Sequence, residues 1–415
     1  MSGKAMGVAV LSVIGLLIVV AAFHRLRPNN QLEEHTGRQE DQSLAAGSAD
    51  SDASASKEFY TTEAEARQFV GNSTCLECHD EYRSDYLASG HARTIRPIHD
   101  FPHLQQLADL RFHDSVRGHT FRYHVEGELV DVSLPEVFGT KRMPLNYAFG
   151  SGDHAVTFVS LVENQDGTPY GIEHRVSWYS QGEDFDYTPR HDELDVTAPV
   201  EHFGRVVPAG KIERCIACHT TTAALDGLEV NRITPNVGCE SCHGPGADHV
   251  AAMNEGLSVA PGGEPNIRFA SGTWSARDEI ATCGKCHRTV DELPPQVLQP
   301  DEPRIIRFQS VGLVLSECYK RADGRLSCST CHNPHQKASA TSLSAYEQKC
   351  IDCHTGTEES VSCPVSPKLN CIECHMSPVE IHPGIVFHDH WIRVRDTDAE
   401  TLSKPSTGKL ADELH

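Results

Sequence analysis

The pattern Cys-x-x-Cys-His occurs seven times in 415 residues, and it constrains this chain more than any other feature. The copies are CLECH (Cys75, Cys78, His79), CIACH (Cys215, Cys218, His219), CESCH (Cys239, Cys242, His243) and CGKCH (Cys283, Cys286, His287). They continue as CSTCH (Cys328, Cys331, His332), CIDCH (Cys350, Cys353, His354) and CIECH (Cys371, Cys374, His375). Chance at this composition would supply roughly 0.04 copies. Two thiols three residues apart on one helical turn can form thioether bonds to the two vinyl groups of one haem. The next residue then carries its imidazole under the iron as the proximal ligand. Structural zinc sites pair CxxC units and do not demand histidine behind every second cysteine, and seven is an odd number to pair. A thioredoxin-like dithiol would be one motif in a strand–helix context, not a series. The expectation is seven covalently attached haem c groups, each with its iron.

The motifs use fourteen of the 16 cysteines, leaving Cys318 and Cys363. Haem of this type is attached outside the bacterial cytoplasm, where paired thiols oxidise. A Cys318–Cys363 disulfide is therefore expected, with two unrelated buried thiols as the alternative.

The N-terminal segment 1–27 contains nineteen uncharged residues, Ala5 to Phe23, about 28 Å as a helix and long enough to cross a bilayer. An uncleaved transmembrane anchor is the expectation. A signal peptide is the alternative, since Val20-Ala21-Ala22 offers a passable cleavage site followed awkwardly by Arg25 and Arg27. Lys4 on one flank and the two arginines on the other leave orientation open, so the haems decide it: the main body lies in the periplasm or outside the cell. Residues 28–72 are acidic and rich in Ser and Ala. They read as a flexible linker, which either lets the haem domain swing or merely spaces it. Net charge is −22, which argues against nucleic acid as a partner.

Some 320 ordered residues would enclose seven haems, about 46 residues each. With only 39% hydrophobic residues, much of the interior should be macrocycle rather than aliphatic side chain, so folding should depend on cofactor attachment. Successive first cysteines fall 140, 24, 44, 45, 22 and 21 residues apart. Within the long interval, "HTFRYHVEGELVDVSL" (119–134), "HAVTFVSLVE" (154–163) and "YGIEHRVSWYS" (170–180) alternate in polarity. The last two flank the turn "NQDGTP" and read as a β-hairpin. The expected fold is a multihaem cytochrome of mainly short α-helices and loops, with a small β-rich insert between haems one and two. Its segments are 73–214 (first haem and insert), 215–300 (haems two to four), 301–395 (haems five to seven) and a polar tail, 396–415.

Eighteen of the 25 histidines lie outside the motifs, and a low-spin electron-transfer haem takes a second axial ligand from its opposite face. His335, three residues past His332, cannot reach round its own haem, so it should ligate another and bridge two cofactors; a solvent-facing turn residue is the alternative. His91, His154, His249 and His390 are the other favoured ligands. His202, His382 and His388 are secondary candidates. His99, His103, His113, His119, His124, His174 and His191 read as solvent or sheet residues, and His24, His35 and His415 as anchor or tail.

Residues 70 to 395 resemble multihaem c-type cytochromes of the cytochrome c-552/c-554 (doubled CxxCH) type. The likeness is carried by "VGNSTCLECHDEYRSDYLASGHART", "YAFGSGDHAVTF", "VGCESCHGPGADHV", "SECYKRADGRLSCSTCHNPH" and "CPVSPKLNCIECHMSP…FHDHWIR". The resemblance implies ligand roles for His91, His154, His249, His335 and His390, and it favours pairing of Cys318 with Cys363. It gives fold and cofactor firmly and physiological reaction poorly.

Two functions follow. The first is a membrane-tethered relay passing electrons from a quinol-side membrane donor to an extracytoplasmic acceptor, tuned by ligand type, hydrogen bonds and burial. The second is an oxidoreductase acting on nitrite, hydroxylamine, tetrathionate or a similar nitrogen or sulfur species at one five-coordinate haem. The CxxCK signature of nitrite reductase is absent, since all seven motifs end in His, although hydroxylamine-oxidising relatives also use His there. An open site would be sought at haem one, beside His113, His119, Tyr123 and His124.

Overall fold

The structure is a computed structural model. It describes residues 67–164, 166–226, 229–256, 267, 274–354, 363–366 and 368–395. The expected anchor at 5–23, most of the linker and the polar tail lie outside the described residues. Among the described residues no helix is long and apolar enough to cross a membrane.

Strand content is larger than a small insert. A four-stranded antiparallel sheet runs β2 (Arg111–Asp114), β3 (His119–Glu126), β4 (Leu129–Ser133), β5 (Arg142–Leu145). A six-stranded sheet runs β1 (Ile95–Pro97), β6 (Tyr147–Phe149), β7 (Ala155–Glu163), β8 (Pro169–Tyr179), β10 (Gly204–Val207), with β9 (Asp184–Tyr187) also on β8. Two hairpins follow, β11 (Thr220–Asp226) with β12 (Glu229–Pro235) and β13 (Pro378–His382) with β14 (Ile385–His388). The expectation of mainly helices and loops fell short because several of these strands are three or four residues long. Such strands exist only by pairing with distant partners, as Ile95 does with Phe149 and Gly204 with His174.

Alternation explains the sheets. Along β3, His119, Phe121 and Tyr123 are buried while Arg122 is exposed, one face in and one out. The β7–β8 hairpin pairs Glu163 with Pro169 and Val156 with Trp178. The two sheets share one apolar core containing Phe121, Val132, Leu134, Phe158, Val176 and Phe203. On its other face the larger sheet buries Ile95, Phe149 and Leu161 against Ile212 and Ile216, so it is covered on both sides. That second layer seats motif two.

Seven helices carry the motifs: α1 (Asn72–Cys78), α2 (Ala209–His219), α3 (Cys239–His243), α4 (Ala276–His287), α5 (Cys328–Cys331), α6 (Leu343–Ile351) and α7 (Cys371–His375). α1 packs on α3, α4 on α5, α5 on α6 and α6 on α7. The apolar cluster of this half is small, namely Leu293, Val297, Ile305 and Val311 with Trp391 against it.

Cys318 and Cys363 stand as free thiols, as the fourteen motif cysteines do, and the structure does not join the expected pair. The Cys363 sulfur instead accepts the Ser366 amide at 3.4 Å. Burial and the neighbouring Cys353 push the Cys318 thiol up.

Candidate haem sites

The helices set the motif histidines, and the turns between them bring second histidines from elsewhere in the chain. Four motif rings face one. His79 lies 6.5 Å from His249, centroid to centroid; His243 lies 6.2 Å from His335; His287 lies 6.4 Å from His91; and His332 lies 6.1 Å from His390. Two metal–nitrogen bonds of about 2 Å, with the inner halves of two imidazole rings, fill that distance. The residues therefore fit an iron held between paired imidazoles. His335 faces motif three rather than its own motif five.

Hydrogen bonding gives a second test of fit. An imidazole that ligates through Nε2 usually donates Nδ1–H to a fixed acceptor. Nδ1 lies 2.8 Å from Thr94 O in His219, 2.9 Å from Arg393 O in His375 and 2.9 Å from His388 O in His390. It lies 3.3 Å from Pro334 O in His91, 3.2 Å from Gln309 Oε1 in His287 and 3.2 Å from Tyr346 Oη in His332. Burial holds His219, His287, His332 and His335 below the usual imidazole range and His390 at about 4. The neutral ring is the ligating form.

Close backbone approach places His390. A Cβ on Gly312 would stand 2.7 Å from Trp391 N and 3.3 Å from His390 Cβ, so only glycine lets the 309–315 helix lie under this segment. The loop before β7 depends on glycine too. Gly150 has φ of 118°, and its Cβ would strike the Ala155 carbonyl. The loop carries His154, whose ring contacts Phe387 of β14 at 5.1 Å. Among the described residues His154 meets no motif histidine at ring-pair distance.

Motif two differs from the four pairs. Among the described residues no histidine stands opposite His219, and the ring it meets is Phe149, at 5.0 Å and 65°. Thr94 holds both of its ends, accepting at its carbonyl from Nδ1 and donating its hydroxyl to His219 O at 2.7 Å. His354 borders residues 355–362, outside the described residues.

The remaining histidines serve other ends. His382 stacks on Tyr179 at 5.3 Å, and His388 Nδ1 lies 2.9 Å from Met376 O. His103 stacks on Trp178 at 4.3 Å, and His99 lies 3.9 Å from Asp100. His113 meets the Thr120 hydroxyl, His124 that of Ser133, and His191 the Glu173 carboxylate. His119 and His202 lie edge to face at 5.3 Å, beside the buried Asp114. Among the described residues the open site sought at haem one is not found. Tyr123 is buried, its hydroxyl 2.7 Å from His174 Nε2, and the ring facing His79 is His249.

Sequence reasoning missed the joints between motifs. Glu240 of motif three, 3% exposed, accepts from the amides of Val70 (2.9 Å), Gly71 (2.8 Å) and Gly246 (2.9 Å), tying α3 to the start of α1. Asn72 accepts the Cys239 amide at 2.9 Å. Glu279, 8% exposed, accepts from the Ser327 hydroxyl (2.8 Å), the Ser329 hydroxyl (2.7 Å) and the Ser329 amide, tying α4 to α5. Its position four residues before Cys283 is one helical turn, a spacing legible in sequence. Between motifs two and four, Glu292 binds Arg214 and Arg288.

Cysteines of different motifs meet at these joints. Cys218 Sγ lies 3.8 Å from the Lys285 carbonyl, across the joint of motifs two and four. Sγ of Cys283 and Cys328 and a Glu279 oxygen lie within 4.8 Å of one another. Motif helices are thus held in contact, as closely spaced cofactors require.

Residues 190–244, which include motifs two and three, match the family model for cytochrome c554 and c-prime. No curated protein matches. The crystal structure of outer cell wall cytochrome OcwA matches 79% of this chain and 80% of that chain at 14% identity, with a TM-score of 0.45. The family match and the repeated motif support a multihaem c-type cytochrome with covalently bound haem and its iron.

Proposed function

We propose that the protein is a heptahaem electron relay on the extracytoplasmic side of a bacterial membrane, anchored through residues 5–23 and tethered by 28–72. The observation that carries it is the set of four facing histidine pairs at 6.1–6.5 Å. Each pair would hold an iron through an imidazole on either side, and the chemistry such a group would supply there is electron exchange without substrate binding. The assignment is His79 with His249, His243 with His335, His287 with His91 and His332 with His390. His219, His354 and His375 are proximal ligands, and His154, whose ring lies against Phe387, is left without an iron.

Contact order supports a wire. Helix packing joins motif one to three, four to five, five to six and six to seven. The Pro334 carbonyl on His91 and the neighbouring His335 on His243 link three to four. Motif two joins four as a branch, through Cys218 against the Lys285 carbonyl at 3.8 Å. Its partners would be a quinol-side membrane donor and an extracytoplasmic redox acceptor. Intact mass should give seven haems on the chain, and paramagnetic resonance of the oxidised protein should be dominated by low-spin ferric signals. A bare-chain mass, or a reduced spectrum without sharp c-type bands, ends this reading.

One observation favours a second reading, reduction or oxidation of a small nitrogen or sulfur species. His219 faces Phe149 rather than a histidine, so the branch would end on an iron with an open side. A high-spin signal of one haem per molecule, abolished by cyanide, nitrite or hydroxylamine, would establish it. Its absence leaves the relay alone.

A further inference from the structure

The three polar joints between motifs are not electrically alike. At the joint of motifs two and four, Glu292 is matched by two guanidinium groups, Arg214 and Arg288. At the joints of one with three and four with five, Glu240 and Glu279 are buried and, among the described residues, neither has a Lys, Arg or His within ion-pair distance. Their partners are neutral. Glu240 takes three backbone N–H groups, and Glu279 takes two serine hydroxyls and one N–H. A carboxylate that only accepts can keep its charge on such dipoles, because hydrogen bonds to the charged form compensate for lost water. The dipoles spread the charge without cancelling it.

Both carboxylates sit where two motif helices touch. Glu240 is adjacent in sequence to Cys239 and ties down the residues leading into Cys75. Glu279 has an oxygen within 4.8 Å of both Cys283 and Cys328.

We infer that Glu240 and Glu279 are potential-setting residues, each supplying one uncompensated negative charge shared by the two haems attached at its joint. This rests on the haem assignment proposed above. A negative charge beside an iron favours the ferric state, which carries one more positive charge than the ferrous, so each carboxylate lowers the potentials of its pair. The relay is then graded by its joints: one–three and four–five are held low, while the arginine-matched joint leaves motif two higher. Electrons entering the wire are biased towards the branch.

The test is a spectroelectrochemical titration of the full haem-loaded chain. In Glu279→Gln, which keeps the shape and can still accept hydrogen bonds, the two haems of motifs four and five should become easier to reduce. The expected change is about tenfold in reduced-to-oxidised ratio at a fixed potential, the size of one elementary charge several ångströms away in a medium of intermediate polarity. Glu240→Gln should act likewise on motifs one and three, and Glu→Asp at either position should restore the original potentials. A structural role alone would lower thermal stability in Gln and Asp variants and leave the potentials in place; that result overturns the inference. If Glu279→Gln fails to acquire haem, Ser327→Ala takes its place. Removing one neutral donor exposes more of the charge and should shift the same pair towards the ferric state, and an unmoved pair overturns the inference. Sharp c-type bands with unmoved potentials would sink only this inference, whereas missing bands would sink the haem assignment beneath it.

Discussion

The two sheets and the motif helices are held together by different kinds of matter. Between residues 95 and 207 the chain buries its own aromatic and aliphatic side chains, with Phe121, Leu134, Phe158 and Phe203 fully out of solvent. From 239 to 390 the apolar cluster shrinks to a handful of residues, and the contacts are hydrogen bonds that carboxylates accept and that amides, hydroxyls and imidazoles make. Hydrophobic burial, at roughly 25 cal/mol per Å², is the main term that holds the first region together. The second has little to bury except what is attached to it. The expectation that cofactors form the interior does not extend to the sheets, whose core is ordinary.

The largest effect that would break this contrast comes from withholding a haem. Cys283→Ala with Cys286→Ala removes the attachment at motif four, the hub of the contacts. The 239–390 region should become open to protease while a fragment spanning 95–207 survives. Uniform digestion of both regions would show that the sheets, too, lean on the cofactors.

Next is a substitution confined to the sheets. Phe158→Ala should cost about 3–5 kcal/mol through lost burial and the cavity left behind, measured as denaturant unfolding followed by sheet circular dichroism. The haem absorption bands should stay unchanged. A spectral change on the same scale would mean that the two regions fold as one.

A smaller, local change sharpens the picture on the other side. Gly312→Val should push the Trp391 backbone away and carry His390 off His332. One haem of the wire would turn high-spin, with little loss of overall stability. His335→Met should alter the haem at motif three, and a change confined to motif five would refute the bridge.

The gentlest probe is pH. Burial lowers His174 to about 3 in the folded state, against about 6.5 unfolded. The unfolded chain then binds the extra proton, so this contribution to stability is complete above about pH 6.5 and is lost as pH falls towards 3. The slope is about 1.4 kcal/mol per pH unit. Burial lowers His119, His191 and His202 in the same direction. The sheets should thus lose stability in mild acid, and less steeply in His174→Gln; an unchanged slope in that variant assigns the loss to the other histidines.

Legibility in the sequence followed the range of the interaction. The β7–β8 hairpin could be read because its two strands and the turn "NQDGTP" are contiguous. β1 and β10 could not, because each is short and owes its pairing to a distant strand. His335 could be read as reaching another motif from its three-residue offset, but nothing local said that the other would be motif three. Glu240 and Glu279 went unread because a glutamate inside or one turn before a motif looks like a solvated residue until the helix it ties down is placed beside it. His154 was singled out by its surroundings in sequence, and the structure sets it against Phe387 instead of a motif ring.

What the sequence determined by itself was the attachment chemistry, since two thiols and an imidazole fall within one helical turn and need nothing from the rest of the chain. Only the tertiary structure decided which histidine faces which motif, which motifs touch, and where charge lies between them. Those choices join residues as far apart as His91 and Pro334, 243 positions, and long-range geometry of that kind is written in no short stretch of sequence.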